Sequence, residues 1–240
     1  MIMRKTAILM AFALVFPAVL ASAAEKAAKD PGEILFTTKT CVACHGSMGN
    51  KAILDYPNLA GQDPVYLFNQ TQDITSGKRV ASVDDSGHPR TQGMREIMHL
   101  TTTEELKQIT TWLGSLEPDV KPVSKRKRRS KKKKAAVAAP QVDPKLVAAG
   151  KKLFKKKQCR VCHGKEGKKP LKAHSFLAGR KAIYMALQMK DIRGKVRTNG
   201  KTKTMLPFVK KLKDKDIEAI TAYLSTLDRP TLKHMKRKKK

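Results

Sequence analysis

Aromatic side chains are scarce in this chain: one Trp, four Tyr and seven Phe among 240 residues. A large core packed on its own aromatic rings is thereby excluded, and any compact unit must draw apolar bulk from elsewhere. Acidic residues are also few, 20 against 51 Lys and Arg, for a formal net charge of +31. Such a chain repels cationic partners and attracts anionic ones. Alternating runs of β-branched and aromatic residues are lacking, which removes the signal of a sheet. Long apolar stretches are missing apart from one of about 15 residues near the start, where Arg4 and Lys5 precede "TAILMAFALVFPAVLASAA". A membrane span needs about 20 apolar residues, and this run is broken by Pro17 and ends in small residues. It reads as a secretory signal peptide over residues 1–24, cleaved after Ala23 or Ala24, with an uncleaved anchor as the alternative.

Only four cysteines are present, an even number that in an exported chain would ordinarily suggest disulfides. Here all four fall in two pentapeptides, "CVACH" at Cys41, Cys44 and His45 and "CRVCH" at Cys159, Cys162 and His163. Cys-x-x-Cys-His is the spacing of c-type haem attachment. Two thiols a helical turn apart can bond the two vinyl groups of one porphyrin, and the adjoining imidazole then reaches the iron. A zinc ribbon wants its cysteine pairs near one another, whereas 114 residues separate these. A redox dithiol has no need of a histidine after its second cysteine in both copies. Two covalently bound haem c groups are therefore expected, held by Cys41, Cys44, Cys159 and Cys162, with His45 and His163 on the irons.

The duplication extends well past the pentapeptides. At an offset of 118, Gly32 and Phe36 match Gly150 and Phe154, Leu59–Gly61 match Leu177–Gly179, and Tyr66, Gln70, Asp73 and Arg79 match Tyr184, Gln188, Asp191 and Arg197. The offset then drops to 111, pairing Met94 with Met205, Leu106 with Ile217, Ile109 with Ile220, Trp112 with Tyr223 and Leu116 with Leu227. Each copy is a unit of about 85 residues, near the lower size for independent folding. A bound porphyrin supplies apolar bulk, so removing it should unfold each unit.

The local pattern is helical. Asp143 and Pro144 form an N-cap and first helical position ahead of Leu146, Gly150, Leu153 and Phe154, and the matching first helix is shorter because Pro31 starts it. "TTTEELKQITTWLGSL" carries a Thr cap, Glu104 and Glu105 in its opening turn, and an apolar face of Leu106, Ile109, Trp112, Leu113 and Leu116; its counterpart is "LKDKDIEAITAYLSTL". The expected fold is all-α, with residues 25–116 and 144–232 as two domains, a polybasic, disordered linker at 117–143 and a basic tail at 233–240.

The second axial position on each iron decides between electron transfer and ligand chemistry. Met94 and Met205 are the methionines that coincide under the repeat, and a thioether suits haem iron and raises its potential. Pro207 suggests that Met205 lies on an extended loop. Met98, Met185 and Met189 read as core filler, Met48 lies too close to His45 to reach the far face, and His88, His99 and His174 lack counterparts and are assigned to surface or loop.

With these residues in place the chain resembles the class I cytochromes c, and its tandem arrangement resembles the dihaem cytochrome c4 family of bacterial periplasms, over about residues 30–116 and 144–228. The resemblance implies a glycine and an aromatic on the first helix crossing an aromatic on the last, as Gly32, Phe36 and Trp112 and then Gly150, Phe154 and Tyr223 would provide. The "CHG" and "LAGQ" elements fit the first domain; the second has Arg180 where the first has Gln62. It also implies a periplasmic carrier between a quinol-oxidising complex and a terminal oxidase, with the haems close across a domain interface. The 27-residue segment Glu117–Asp143, containing "KRKRRSKKKK", departs from the family and is long enough to let the domains separate.

Charge is unevenly placed. Residues 25–116 carry 9 basic and 11 acidic side chains, a net −2, whereas residues 144–232 carry 24 and 6, a net +18. Lys151, Lys152, Lys155–Lys157, Arg160, Lys165, Lys168 and Lys169 crowd the second attachment motif, where class I domains expose a haem edge. They would steer acidic redox proteins to it. The polybasic segments could also adhere to an anionic membrane surface, while export argues against nucleic acid. An electron carrier is the leading expectation. The alternatives are an electron-accepting subunit of a flavocytochrome-type dehydrogenase, a dihaem peroxidase, which would require one iron to lose its methionine, and a scaffold for a larger redox assembly.

Overall fold

A computed structural model describes residues 29–117, 142–171 and 174–230. The segment expected to be a signal peptide, the "KRKRRSKKKK" run and the basic tail lie outside the described residues. The first half consists of α1 (Pro31–Thr38), α2 (Cys41–His45), α3 (Pro64–Thr75), α4 (Gln92–Met98) and α5 (Thr103–Ser115), and the second of α6 (Pro144–Lys156), α7 (Cys159–His163), α8 (Ala182–Arg193), α9 (Thr202–Val209) and α10 (Asp214–Ser225). Among the described residues the only extended pairing is an isolated bridge between Val83 and Pro89.

The helix starts follow local chemistry. Asp30, Asp63 and Asp143 accept backbone N–H groups of the first turn, each with proline directly after it. Thr102 accepts from the Glu105 N–H at 3.2 Å while the Glu105 carboxylate accepts from the Thr102 N–H at 2.8 Å, a reciprocal cap that fixes the start of α5.

In each half the first helix crosses the last: α1 packs on α5 and α6 on α10. Phe36 meets Trp112 with ring centroids 5.3 Å apart, and Phe154 meets Tyr223 at 6.1 Å. The cores are modest. Phe36, Leu67, Ile109, Trp112 and Leu113 form the first; Phe154, Met185, Met189, Ile192, Ile217, Ile220 and Leu224 lead the second. Met98 is also buried, so the three methionines assigned to packing do fill the interior.

The two halves are joined face to face despite the long connection. Arg79 donates to the Tyr184 hydroxyl at 3.0 Å and to Gln188 Oε1 at 2.9 Å, and its repeat counterpart Arg197 donates to Gln70 Oε1 at 2.6 Å. Gln188 is itself the counterpart of Gln70, so each arginine bonds the same glutamine of the opposite half, as in an isologous dimer interface. Asn199 adds a bond to Asp73 at 2.6 Å. The Lys181 ammonium caps the carbonyls of Ala52 and Ile53 at 3.1 and 3.2 Å, and that of Leu54.

Candidate haem sites

Each attachment pentapeptide forms a single helical turn, α2 or α7, entered through a left-handed residue, Thr40 or Gln158. Gly46 and Gly164 follow with φ of 72° and leave no room for a Cβ, which would lie 2.3 and 2.2 Å from the carbonyl oxygens of Lys51 and Lys169. The turn therefore reverses sharply, leaving both cysteines of each pair half-buried and His45 and His163 buried.

The imidazoles are oriented by the backbone. His45 Nδ1 lies 3.0 Å from the Pro57 carbonyl and His163 Nδ1 lies 3.2 Å from that of Ser175. A carbonyl can only accept, so Nδ1 carries the proton and Nε2 keeps its lone pair for a metal. Burial holds both imidazoles below the usual histidine range despite these bonds, His163 at about 4 with His174 adding to the effect. Both are neutral near pH 7, the form that ligates.

Pro57 and Ser175 are repeat counterparts, and so are the next neighbours outward. Tyr56 packs on His45 with centroids 6.3 Å apart, and His174 packs edge-on against His163 at 6.0 Å. Sequence comparison missed this pair because the residue types differ. Their common place one residue before the accepting carbonyl is the signal that would have found them. His174 thus sits on a loop but half-buried, whereas His88 and His99 are exposed.

A cavity of about 280 Å³ runs from the first attachment site across the interface and is lined by Cys41, Cys44, His45 and Met94 and, from the second half, by His163 and Met205. A second, of about 110 Å³, is lined by Cys159, Cys162, His163, Met205, Val209 and Leu212. All eight residues expected at the haems thus border these cavities. Met94 and Met205 are both half-buried, but Met205 lies within α9, not on a loop. Pro207 is the sixth residue of α9, where it offers no N–H to the Lys203 carbonyl, and the helix runs only two residues further, to Val209.

The residues present fit a porphyrin. Thiols, a neutral imidazole and a thioether meet in a largely apolar space, and the buried Arg79 Nε, a donor with no acceptor among the described residues, borders the same space. A group with an apolar face and anionic edges satisfies both.

The comparisons agree with this geometry. A family model described as Cytochrome c matches twice, over residues 30–117 and 147–228, which makes each half a cytochrome c domain. Cytochrome c4 of Azotobacter vinelandii is 32% identical over 218 residues, spanning 87% of this chain and 92% of that protein. Reduced recombinant cytochrome c4 from Pseudomonas stutzeri superimposes with a TM-score of 0.62 at 29% identity, covering 83% of this chain and 100% of that one. A more distant relative, the thiosulfate dehydrogenase electron acceptor of Stutzerimonas stutzeri (strain A1501), is 25% identical over 78% of each chain. The chain belongs to the dihaem cytochrome c4 family, electron-transfer cytochromes with two covalently attached haem c groups. Among the described residues no helix is long and apolar enough to cross a membrane.

Proposed function

We propose that the chain is an exported, periplasmic electron carrier in which His45 and Met94 close the first iron and His163 and Met205 the second, so that electrons pass and no substrate binds. The carrying observation is that each His/Met pair borders one cavity with its own cysteines. Bound haem c supplies a one-electron ferric/ferrous couple. The protein orients the imidazoles through Pro57 and Ser175, excludes water with apolar side chains, and holds the two sites together through the Arg79 and Arg197 crossings.

Titrating the purified holoprotein while measuring its mass tests this proposal. Two haem masses and two one-electron waves are expected; a mass equal to the polypeptide alone refutes it. Met94→Ala and Met205→Ala should each remove half of the weak far-red absorption that marks ferric haem bound to methionine sulfur, and each should lower one potential. Retention of the full band in either variant excludes that methionine.

Acidic redox proteins, such as a quinol-oxidising complex and a terminal oxidase, are the proposed partners. Lys152, Lys155, Lys156 and Arg160 line one shallow concavity close to Cys159, and Lys165 and Lys169 are exposed nearby. Changing Lys152, Lys155, Lys156, Lys165 and Lys169 to glutamate should slow association with an acidic partner by about tenfold or more at low salt and flatten its salt dependence. Stopped-flow rates that match the native protein at every ionic strength would remove these lysines from the docking surface. A second role, as electron acceptor of a dehydrogenase, is favoured by the similarity to the thiosulfate dehydrogenase electron acceptor; co-purification with such an enzyme tests it.

A further inference from the structure

Gln62 and Arg180 occupy the same position of the repeat, each directly after Leu-Ala-Gly. Gln62 clasps the backbone of Phe176 in both directions, donating to its carbonyl at 3.1 Å and accepting its N–H at 2.9 Å. The counterpart of Phe176 is Asn58, and there Arg180 donates through Nη1 to the carbonyls of Asn58 at 2.7 Å and Ala60 at 3.2 Å. The crossing is closed on both sides, but on one side a cation replaces a neutral amide.

That cation is 4% exposed. Its Nε and Nη2 are buried and meet no acceptor among the described residues, and no carboxylate there forms an ion pair with it. Burial, and after it Arg229, work against its charge. A glutamine would close the crossing without this cost, so the guanidinium calls for an anion that the polypeptide does not supply. Arg180 borders the cavity that holds Cys41, Cys44, His45 and Met94, into which His163 and Met205 also reach, and does not border the one around Cys159 and Cys162. Its bond to Asn58, next to the Pro57 carbonyl that orients His45, places it on the first haem's side. A porphyrin carries two carboxylates, and a guanidinium with two free donors suits one of them.

Resting on the two-haem function above, we propose that Arg180 receives a carboxylate of the haem held by Cys41 and Cys44 and selectively raises the potential of that iron. A cation there neutralises the carboxylate and opposes the extra positive charge of the ferric state. The duplicated halves become electrically unequal through one substitution.

The test uses full-length holoprotein with Arg180→Gln and Arg180→Lys, followed by proton NMR during a redox titration, with contacts to Tyr56 marking the first haem. Arg180→Gln should shift the first haem's redox equilibrium about tenfold toward the ferric form, 59 mV for a one-electron couple, and leave the second in place. Arg180→Lys should retain most of the native value. An unchanged first potential, or a shift confined to the second haem, overturns the proposal. So does a native potential that varies with added phosphate, since Arg180 would then hold a free anion. If Arg180→Gln does not fold, infrared spectra of native protein carrying ¹³C-labelled haem carboxylates decide. A band displaced from the hydrated-carboxylate position that moves in Arg180→Lys supports the proposal; the lack of any displaced band, or a displaced band that Arg180→Lys leaves in place, overturns it. Failure to find two haem masses in the native protein would instead strike the function itself.

Discussion

Replacing Cys41 and Cys44 with alanine, so that no porphyrin is retained in the first half, should abolish cooperative folding of that half and loosen the second. The cavity reached from these thiols is about 280 Å³. At roughly 24 cal/mol per Å³ left unfilled, that is about 7 kcal/mol, comparable with the whole stability of a small domain, about 5–15 kcal/mol. The core of this half, built on Phe36, Leu67, Ile109, Trp112 and Leu113, has little to offset such a loss. The effect should cross the interface because Met185, Leu187 and Leu224 of the second half line the same cavity. The matching Cys159→Ala, Cys162→Ala variant opens the cavity of about 110 Å³ together with the part of the larger one bordered by His163 and Met205, so by the same relation it should cost at least about 3 kcal/mol and should mainly weaken the second half. Far-UV circular dichroism through a thermal scan separates the cases. A steep, native-like transition in the first variant would mean that the cavity does not depend on its cofactor.

The parts of this architecture written in consecutive residues were legible in the sequence. Asp143-Pro144 and the Thr102/Glu105 pair start helices through side chains a few positions away, so they read without a fold. The pentapeptides were legible for the same reason, and the repeat offset located Met94 and Met205 by comparing one half with the other. What depended on the second half's position was not legible. Arg79 and Arg197 matched as a repeated pair, but nothing local says that each reaches the glutamine of the opposite copy. The Glu117–Asp143 segment is long enough to let the halves separate, but chain length only permits separation and does not cause it, and the polar bonds across the interface hold the halves together. Pro207 suggests an extended loop because proline disfavours helix interiors, yet it lies inside α9, which forgoes one backbone hydrogen bond there and stops two residues later. Sequence shows Arg180 in place of Gln62 but records neither the burial of the guanidinium nor its unused donors.

Gly150→Ala should destabilise the second half by more than about 3 kcal/mol, beyond the usual range for one added methyl in a packed core. The expected sign is opposite to the ordinary one, since alanine in place of a helical glycine normally stabilises by about 1 kcal/mol. The reversal comes from the crossing of α6 and α10. A Cβ on Gly150 would lie 1.8 Å from the Ala219 carbonyl oxygen and 2.8 Å from Tyr223 Cβ. The first obstacle is backbone, so no rotamer change relieves it and the two helices must move apart. Separation would break the packing of Phe154 on Tyr223 and open the wall made by Ile217, Ile220 and Leu224. The counterpart Gly32 is less tightly enclosed, with a Cβ 2.5 Å from the Gln108 carbonyl oxygen and from Trp112 Cβ. Gly32→Ala should therefore cost less than Gly150→Ala. Thermal melting followed by haem absorbance reads both, since about 1 kcal/mol moves the midpoint of a domain this size by about 4–8 °C. Equal midpoints for native protein and Gly150→Ala would show that the helices can separate without penalty, and the close crossing would then not be what holds the second half together.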